Sequence, residues 1–253
     1  MMLLVRDTAG VAKRNLLRIL RTPLMMIVTA VQPALFLLLF RYVLGGAIVI
    51  PGGSYVDYVV PAIFVEAVLI GGMTTSIGLA EDLKSGIVDR FRSLPMARSA
   101  VLAGRTLADL SRSVFSLAVM VGLGLAVGFR FHEGVAKIVA GLLLVIAFGY
   151  AFSWMYIVIA LATKDPETAQ IAGILPFFVL MFASNAIVPV GTMPHWLQGF
   201  ARNQPLSVTV TAARSLLEGG SAASPVWQSV AWAFGIFVVF FAVAVRLYRD
   251  SAS

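Results

Sequence analysis

The sequence predicts an all-α membrane protein with six transmembrane helices, and three observations support this fold class. First, six long stretches of the 253-residue chain carry almost no charge. Each comes close to the roughly 20 apolar residues that a helix needs to cross a bilayer. Second, 60% of the residues are hydrophobic and only 12% are charged, with a mean hydropathy of +0.94. The apolar stretches are about 22–40, 59–80, 113–129, 138–163, 168–194 and 219–245.

The third observation is the distribution of basic residues between these stretches. Alternate connecting segments place 14 of the 19 Lys and Arg residues on one side of the membrane and 5 on the other. Cytoplasmic loops carry an excess of Lys and Arg, so both termini and the 81–112 loop are expected in the cytoplasm. The chain is therefore predicted to be a multi-pass protein of the cell inner (cytoplasmic) membrane. Its net charge of +7 suits lipid headgroups, and no basic patch interleaved with aromatics suggests nucleic acid.

The chain before the first apolar stretch, residues 1–22, is predicted to form an amphipathic interfacial helix. Its apolar residues recur at helical spacing and its basic residues fall on the other arc. The alternative is a solvated leader. Residues 23–253 then form one six-span domain, with spans at about 24–44, 59–80, 113–129, 138–163, 169–190 and 226–245.

Glu66 is the only carboxylate clearly inside an apolar stretch. It lies about 10 Å below the outer end of the second span, where burying its charge costs on the order of 2–3 kcal/mol unless relieved. Two interpretations stay open. Glu66 is either an acid on a substrate pathway, or a group that lies near a water-filled vestibule or pairs with a polar neighbour.

The fifth span combines a proline with aromatic and small polar side chains. Pro176 frees a backbone carbonyl and can kink the helix. The neighbouring side chains either line a groove for an amphiphile or face lipid. As candidate pathway residues they are Phe177, Phe178, Phe182 and Asn185.

The loop between the second and third spans carries the strongest functional signal. Four apolar residues share one helical face, charges of both signs occupy the rest, and Pro95 ends the helix. A short amphipathic helix on a chain without a catalytic domain suits docking to a cytoplasmic partner. An ordinary solvated loop, the alternative, needs no apolar stripe. The four apolar residues are Leu83, Ile87, Phe91 and Leu94.

The segment at about 193–225 is too long for a simple hairpin between the fifth and sixth spans. An apolar stripe ends at Gly219-Gly220, and Pro194 suits the first turn of a helix. Two short outer-leaflet helices are therefore expected here. The stripe consists of Leu206, Val210, Ala213 and Leu217.

These motifs together resemble the ABC-2 type exporter permeases, and in particular the daunorubicin-resistance permease branch. The loop contributes an acidic residue closing the second span, a Lys-Ser-Gly turn at 84–86, Leu94-Pro95 and Gly104-Arg105. The similarity continues at 184–220, through Ser184-Asn185-Ala186-Ile187-Val188-Pro189, Met193-Pro194-His195-Trp196-Leu197, Asn203-Gln204-Pro205-Leu206 and Arg214-Ser215-Leu216-Leu217-Glu218-Gly219.

The resemblance implies a transmembrane permease subunit of an ATP-driven exporter that works as a homodimer or heterodimer with ABC ATPase subunits. Its substrate would be hydrophobic or amphiphilic, a drug-like natural product or a lipid, moved outward. By the same resemblance, the ATPase-coupling residues are Glu81, Asp82, Leu83, Lys84, Gly86, Ile87, Arg90, Phe91, Arg92 and Leu94.

Other chemistry is disfavoured by the residues themselves. No G-x-x-x-x-G-K-[ST] stretch occurs, so the chain is not expected to be an enzyme, and ATP and Mg²⁺ are expected in the partner ATPase. The two histidines lie in different loops and cysteine is absent, so no metal site is expected. The competing hypothesis is an ion-gradient-driven secondary transporter or channel. It predicts more ionisable residues within the spans and inverted repeats between the two halves.

Overall fold

The computed structural model describes residues 23–48, 50, 53–85 and 98–250, with side chains from residue 30 onward except 98–108 and 249–250. All regular secondary structure in these ranges is helical. The predicted interfacial helix at 1–22 lies outside the described residues. The helices are α1 (Pro23–Leu39, continued by a π-helical turn at Phe40–Leu44), α2 (Tyr55–Lys84), α3 (Arg98–Ala126), α4 (Val135–Thr163), α5 (Pro166–Phe182), α6 (His195–Asn203), α7 (Pro205–Leu217) and α8 (Ala223–Asp250).

Four helices are long and apolar enough to cross a membrane, and they match the predicted second, third, fourth and sixth spans. The predicted first and fifth spans coincide with the shorter apolar helices Ala30–Leu44 and Pro166–Phe182. The all-helical class is thus confirmed for the described part of the chain, and the count of six spans stays a prediction. The four longer spans are Tyr55–Lys84, Asp109–Ala126, Val135–Thr163 and Ala223–Tyr248.

The fifth helix is shorter than predicted, because α5 ends at Phe182 and the predicted span ran to about residue 190. Just beyond it, the Ser184 hydroxyl donates to the Met181 carbonyl at 2.6 Å and accepts from the Ala186 amide at 3.0 Å. These bonds turn the chain out of the helix. The next regular element is a short 3₁₀ turn at Val190–Thr192.

The two short helices predicted between the fifth and sixth spans are present as α6 and α7. Pro205 occupies the first turn of α7, and the Gln204 side chain caps this helix by accepting from the Leu206 amide at 3.0 Å. Trp196 on α6 is 81% exposed, as suits an aromatic residue at a membrane interface. Their location in the outer leaflet stays a prediction.

The bundle is built around α2, which packs against α1, α3, α4, α5 and α7. In an 18-residue apolar stretch of α2, 83% of the residues are buried within the bundle. In the corresponding stretch of α8, only 11% are buried. The central helix therefore coincides with the predicted second span, and α8 packs at the periphery against α4 and α7.

Small residues bring α2 and α4 into close contact. A Cβ atom placed on Gly149 of α4 would lie 2.7 Å from the Val68 Cβ of α2. A Cβ atom on Gly72 of α2 would lie 2.9 Å from the ring of Tyr156. Glycine at these positions lets the two backbones approach as in other tightly packed membrane helices.

Candidate functional site

The described part of the predicted coupling helix continues α2. Glu81, Asp82, Leu83 and Lys84 form its last turn, and the Ser85 amide donates to the Glu81 carbonyl at 2.9 Å. The predicted ATPase-coupling residues thus begin directly on the central helix of the bundle. The other predicted coupling residues lie outside the described part of the chain: Gly86, Ile87, Arg90, Phe91, Arg92 and Leu94.

Leu83 and Lys84 contact different parts of the protein. Leu83, predicted as an apolar anchor, packs against an internal cluster that includes Leu79 and Ile157. The Lys84 ammonium lies 2.7 Å from Asp165 Oδ1, in the turn between α4 and α5. The last turn of α2 is therefore fastened on one side by packing and on the other by an ion pair.

Asp165 also caps α5. Its Oδ2 accepts from the backbone amide and from the hydroxyl of Thr168, both at 3.1 Å. The hydrogen bond from Lys84, followed by those from Thr168, lowers the pKa of Asp165 to about 2. This carboxylate is therefore charged at any physiological pH, and both of its oxygens are used.

A polar cluster joins α2 and α3 about three turns of α2 away from the Lys84–Asp165 ion pair. The Arg112 guanidinium donates to Thr74 Oγ1 at 2.8 Å and lies 3.5 Å from Asp109 Oδ1, to which Thr75 Oγ1 also donates. Asp109 is buried. Sequence reasoning had not assigned this cluster, although the i,i+3 spacing of Asp109 and Arg112 was a signal for it.

Glu66 is fully buried, and neither carboxylate oxygen has a hydrogen-bond partner in the described structure. Met73, two turns further along the same side of α2, approaches Gly173 of α5. Glu66 therefore faces α5. Helix α5 runs antiparallel to α2, so its buried residues Phe177 and Met181 lie at the level of Glu66.

The remaining aromatic pathway candidates lie on the outward face of α5. Phe178 and Phe182 are 40% and 55% exposed, and their rings stack with centroids 5.5 Å apart. The exposed side chains of Ile171 and Leu175 continue this apolar face. The structure therefore separates the aromatic candidates, because Phe177 alone is buried inside the bundle.

Asn185 belongs to a cluster at the end of the bundle opposite Lys84 that we call the Arg214 cluster, formed by Tyr58, Asn185, Ala186, Thr211 and Arg214. Arg214 donates to the backbone carbonyls of Tyr58 at 2.7 Å, Asn185 at 2.9 Å and Ala186 at 3.0 Å. Its guanidinium carbon also lies 3.5 Å from the centre of the Tyr58 ring. Two further bonds complete the cluster. The Tyr58 hydroxyl donates to the Asn185 carbonyl at 2.7 Å, and the Asn185 side-chain amide donates to the Thr211 hydroxyl at 2.7 Å.

Arg214 provides hydrogen bonds to the carbonyls of Asn185 and Ala186, which lie beyond the end of α5 and outside any helix, and to the carbonyl of Tyr58 in the first turn of α2. Asn185 thus contributes to holding this irregular segment in place. No group of three or more His, Asp or Glu residues in the described ranges is arranged to hold a metal ion.

Comparison with known proteins gives a consistent result. The family model for the ABC-2 type transporter matches residues 8–217. The chain is 34% identical over 228 residues to the daunorubicin resistance ABC transporter permease protein DrrB1 of Streptomyces coeruleorubidus, covering 90% of this chain and 81% of that protein.

Two proteins of Mycobacterium tuberculosis are also similar. One, named probable doxorubicin resistance ABC transporter permease protein DrrC, is 31% identical over 239 residues, covering 94% of this chain and 86% of its own length. The other, doxorubicin resistance ABC transporter permease protein DrrB, is 30% identical over 160 residues, covering 63% and 55% respectively.

Proposed function

This chain belongs to the ABC-2 type transporter family, and we propose that it is the permease of an exporter that moves hydrophobic or amphiphilic molecules outward across the cytoplasmic membrane. The observation that carries the proposal is the similarity, over most of the chain, to permeases named for daunorubicin and doxorubicin resistance. Drug-like natural products and lipids are the proposed substrates. The few charges within the apolar helices disfavour a hydrophilic solute.

The proposed partner is a separate ABC ATPase that binds the cytoplasmic segment beginning at Glu81 and supplies ATP and Mg²⁺. The continuity of α2 supports this segment as the docking site, since movement at residues 81–94 would act directly on the central helix. The proposed assembly contains two six-span permease chains, identical or different, with both termini of each in the cytoplasm.

The proposed substrate pathway follows the contact between α2 and α5. Glu66 supports this pathway. A carboxyl group without a partner in an apolar layer lowers the stability of the fold, and such groups within membrane helices typically serve a function. Phe177 supplies an aromatic surface at that level, and Phe178 and Phe182 an apolar surface on the outward face of α5. Asn185 would close the route at its outer end.

The first test is co-purification of the tagged chain with the ABC ATPase encoded nearest its gene, followed by ATP turnover in lipid. We expect a stable complex whose turnover collapses when Phe91→Ala and Asp82→Arg are combined. Arg130→Gln, outside the proposed docking segment, is the matched control and should leave turnover unchanged. Capture of no ATPase, with transport following an ion gradient, would establish the secondary transporter instead.

The pathway is tested by Glu66→Gln, which keeps the side-chain shape and replaces the carboxyl group with an amide. Doxorubicin, named in the relatives, serves as the probe in inside-out vesicles. We expect an assembled complex with basal ATP turnover but about tenfold slower doxorubicin uptake. Glu133→Gln, at an exposed ion pair, is the control. Normal uptake by the Glu66→Gln variant would remove Glu66 from the pathway.

A further inference from the structure

One ion pair joins the last residue of α2 to the residue that starts α5. Lys84 lies within the proposed docking segment, and Asp165 is the N-cap of α5. Their 2.7 Å contact spans 81 residues of sequence. The ATPase-facing end of the central helix is therefore linked to a second helix that the docking segment does not include.

The ion pair is poorly suited to a purely stabilising role. The side chains of Lys84 and Asp165 are 65% and 35% exposed, and exposed ion pairs contribute little to stability because water and salt screen them. The geometry at Asp165 is nevertheless fully specified. One oxygen binds Lys84 and the other caps α5 through Thr168, so a displacement of Lys84 acts on the start of α5.

Helix α5 is the element on which such a displacement would matter for transport. It carries Phe177, Phe178 and Phe182 and packs against α2, the helix that carries Glu66. Its other end leads into the Arg214 cluster, which holds the outer side of the bundle. The polar contacts of Thr74 and Thr75 with α3 join α2 and α3, so that these two helices move together.

We infer that the Lys84–Asp165 ion pair passes the movement of the ATPase-facing segment to α5, and that both are positioning residues for transport. The inference rests on the proposed function, since it requires an ATPase at that segment. The docking segment connects α2 and α3 directly, and its movement reaches the bundle through them. The ion pair adds α5 as a second route.

The variants separate the ion pair from the helix cap. Asp165→Asn removes the charge and keeps a capping oxygen, because Asn caps helices about as well as Asp. Lys84→Gln removes the positive charge of the ion pair, and Lys84→Arg keeps a positive charge at this position. Thr168→Val weakens the cap alone. Lys137→Gln is the matched control, since it breaks the 2.8 Å exposed ion pair with Glu133 on α4.

The absence of cysteine allows site-specific spin labels to measure the movement of α5. Labels at Leu175 on α5 and Val239 on α8, both exposed, report the distance between these helices with and without trapped ATP. The complex carries one labelled copy, and its ATP turnover is recorded in parallel. We expect an ATP-dependent distance change in the unmodified chain, Lys84→Arg, Thr168→Val and Lys137→Gln.

In Asp165→Asn and in Lys84→Gln the ATP-dependent change should be about two- to fivefold smaller, and Asp165→Asn, which lies outside the docking segment, should retain ATP turnover. The double variant should lose no more than either single variant, because both remove the same contact. An unaltered distance change, or additive losses in the double variant, would overturn the inference alone. Failure of the unmodified chain to bind an ATPase would overturn the proposed function, and the inference with it.

Discussion

At the scale of single residues, Arg214 forms extensive hydrogen bonds at the end of the bundle opposite Lys84. It donates to three backbone carbonyls and stacks on the ring of Tyr58. Arginine suits this position because its planar guanidinium group donates to several acceptors at once in a fixed geometry. A lysine ammonium also has several donors, but their geometry is less fixed.

Replacing Arg214 should weaken the outer end of the fold. We expect Arg214→Gln to lower the free energy of unfolding by about 2–4 kcal/mol, because charge-assisted bonds are lost and buried carbonyls keep fewer partners. Arg214→Lys should recover part of this loss. Arg130, which donates to the carbonyls of Leu125 and Phe129 from an exposed position, is the control. Equal effects of Arg214→Gln and Arg130→Gln on thermal unfolding in detergent would contradict this assignment.

Glu218, directly after α7 and outside the predicted spans, should make stability depend on pH. Burial, only partly offset by the Arg214 charge, raises its pKa from 4.5 to about 8. A raised carboxyl pKa means that folding favours the protonated acid. Its stabilising contribution is therefore complete below about pH 4.5 and is lost as the pH rises through about 8.

The measurement is thermal unfolding at about pH 6 and about pH 9. The unmodified chain should unfold at a lower temperature at the higher pH, and Glu218→Gln should reduce this difference. A second carboxylate, Glu133, which is paired with Lys137, provides the comparison through Glu133→Gln, which should leave the difference in place. A pH response that is identical in the chain and in Glu218→Gln would show that another group causes it.

Sequence reasoning was better at finding unusual residues than at finding their partners. Glu66 was visible because it interrupts an apolar run, and the structure shows it buried without a partner. The contacts of Asn185 were not visible, since its main partners lie 22 to 29 residues away in the chain and meet it only through tertiary packing. Such contacts have no local sequence signal.

At the scale of helices, hydropathy predicted where elements exist better than where they end. The four longer spans agree with the predicted ones because an apolar segment in lipid must satisfy its backbone bonds within a helix. The early end of α5 was missed because residues 183–190 are as apolar as a span. Their backbone is satisfied instead by Ser184, Ser207 and Arg214, which the hydropathy of the segment does not reveal.

The close contact between α2 and α4 predicts a strong effect of a single methyl group. Gly149→Ala places a Cβ within 2.7 Å of Val68, which should cost about 1–3 kcal/mol through overpacking. Gly122→Ala is the matched control, because a Cβ there meets nothing within 4 Å and alanine favours a helix. Thermal unfolding of the two variants gives the answer. A Gly149→Ala variant as stable as Gly122→Ala would mean that the two helices pack less closely.

At the scale of the whole molecule, sequence could not predict which helix lies at the centre. The peripheral α8 is more apolar than the central α2, with a mean hydropathy of 2.3 against 1.7, yet α2 is the helix that is buried. Lipid and protein interior are both apolar, so composition does not distinguish a helix that faces one from a helix that faces the other. The small residues Gly71 and Gly72 within α2 were the available hint.

The predicted topology is testable because the chain contains no cysteine. Cysteine introduced at His132 should react with a membrane-impermeant maleimide in intact cells, since this exposed residue lies in a predicted outside loop. Cysteine at Glu167, exposed in a predicted cytoplasmic turn, should react only after the cells are opened. Reaction of both positions in intact cells, or the reverse order, would contradict the predicted orientation.

The Arg214 cluster also has a consequence for biosynthesis. Its guanidinium binds a carbonyl that precedes it by 156 residues, near the start of the central helix. A ribosome therefore synthesises α2, α3, α4 and α5 before the side chain that joins the start of α2 to the segment after α5 exists. Until residue 214 has been translated, the earlier helices are held by packing and by contacts such as those of Lys84 with Asp165 and of Tyr58 with Asn185, and the Tyr58 and Ala186 carbonyls lack the hydrogen bonds that Arg214 provides.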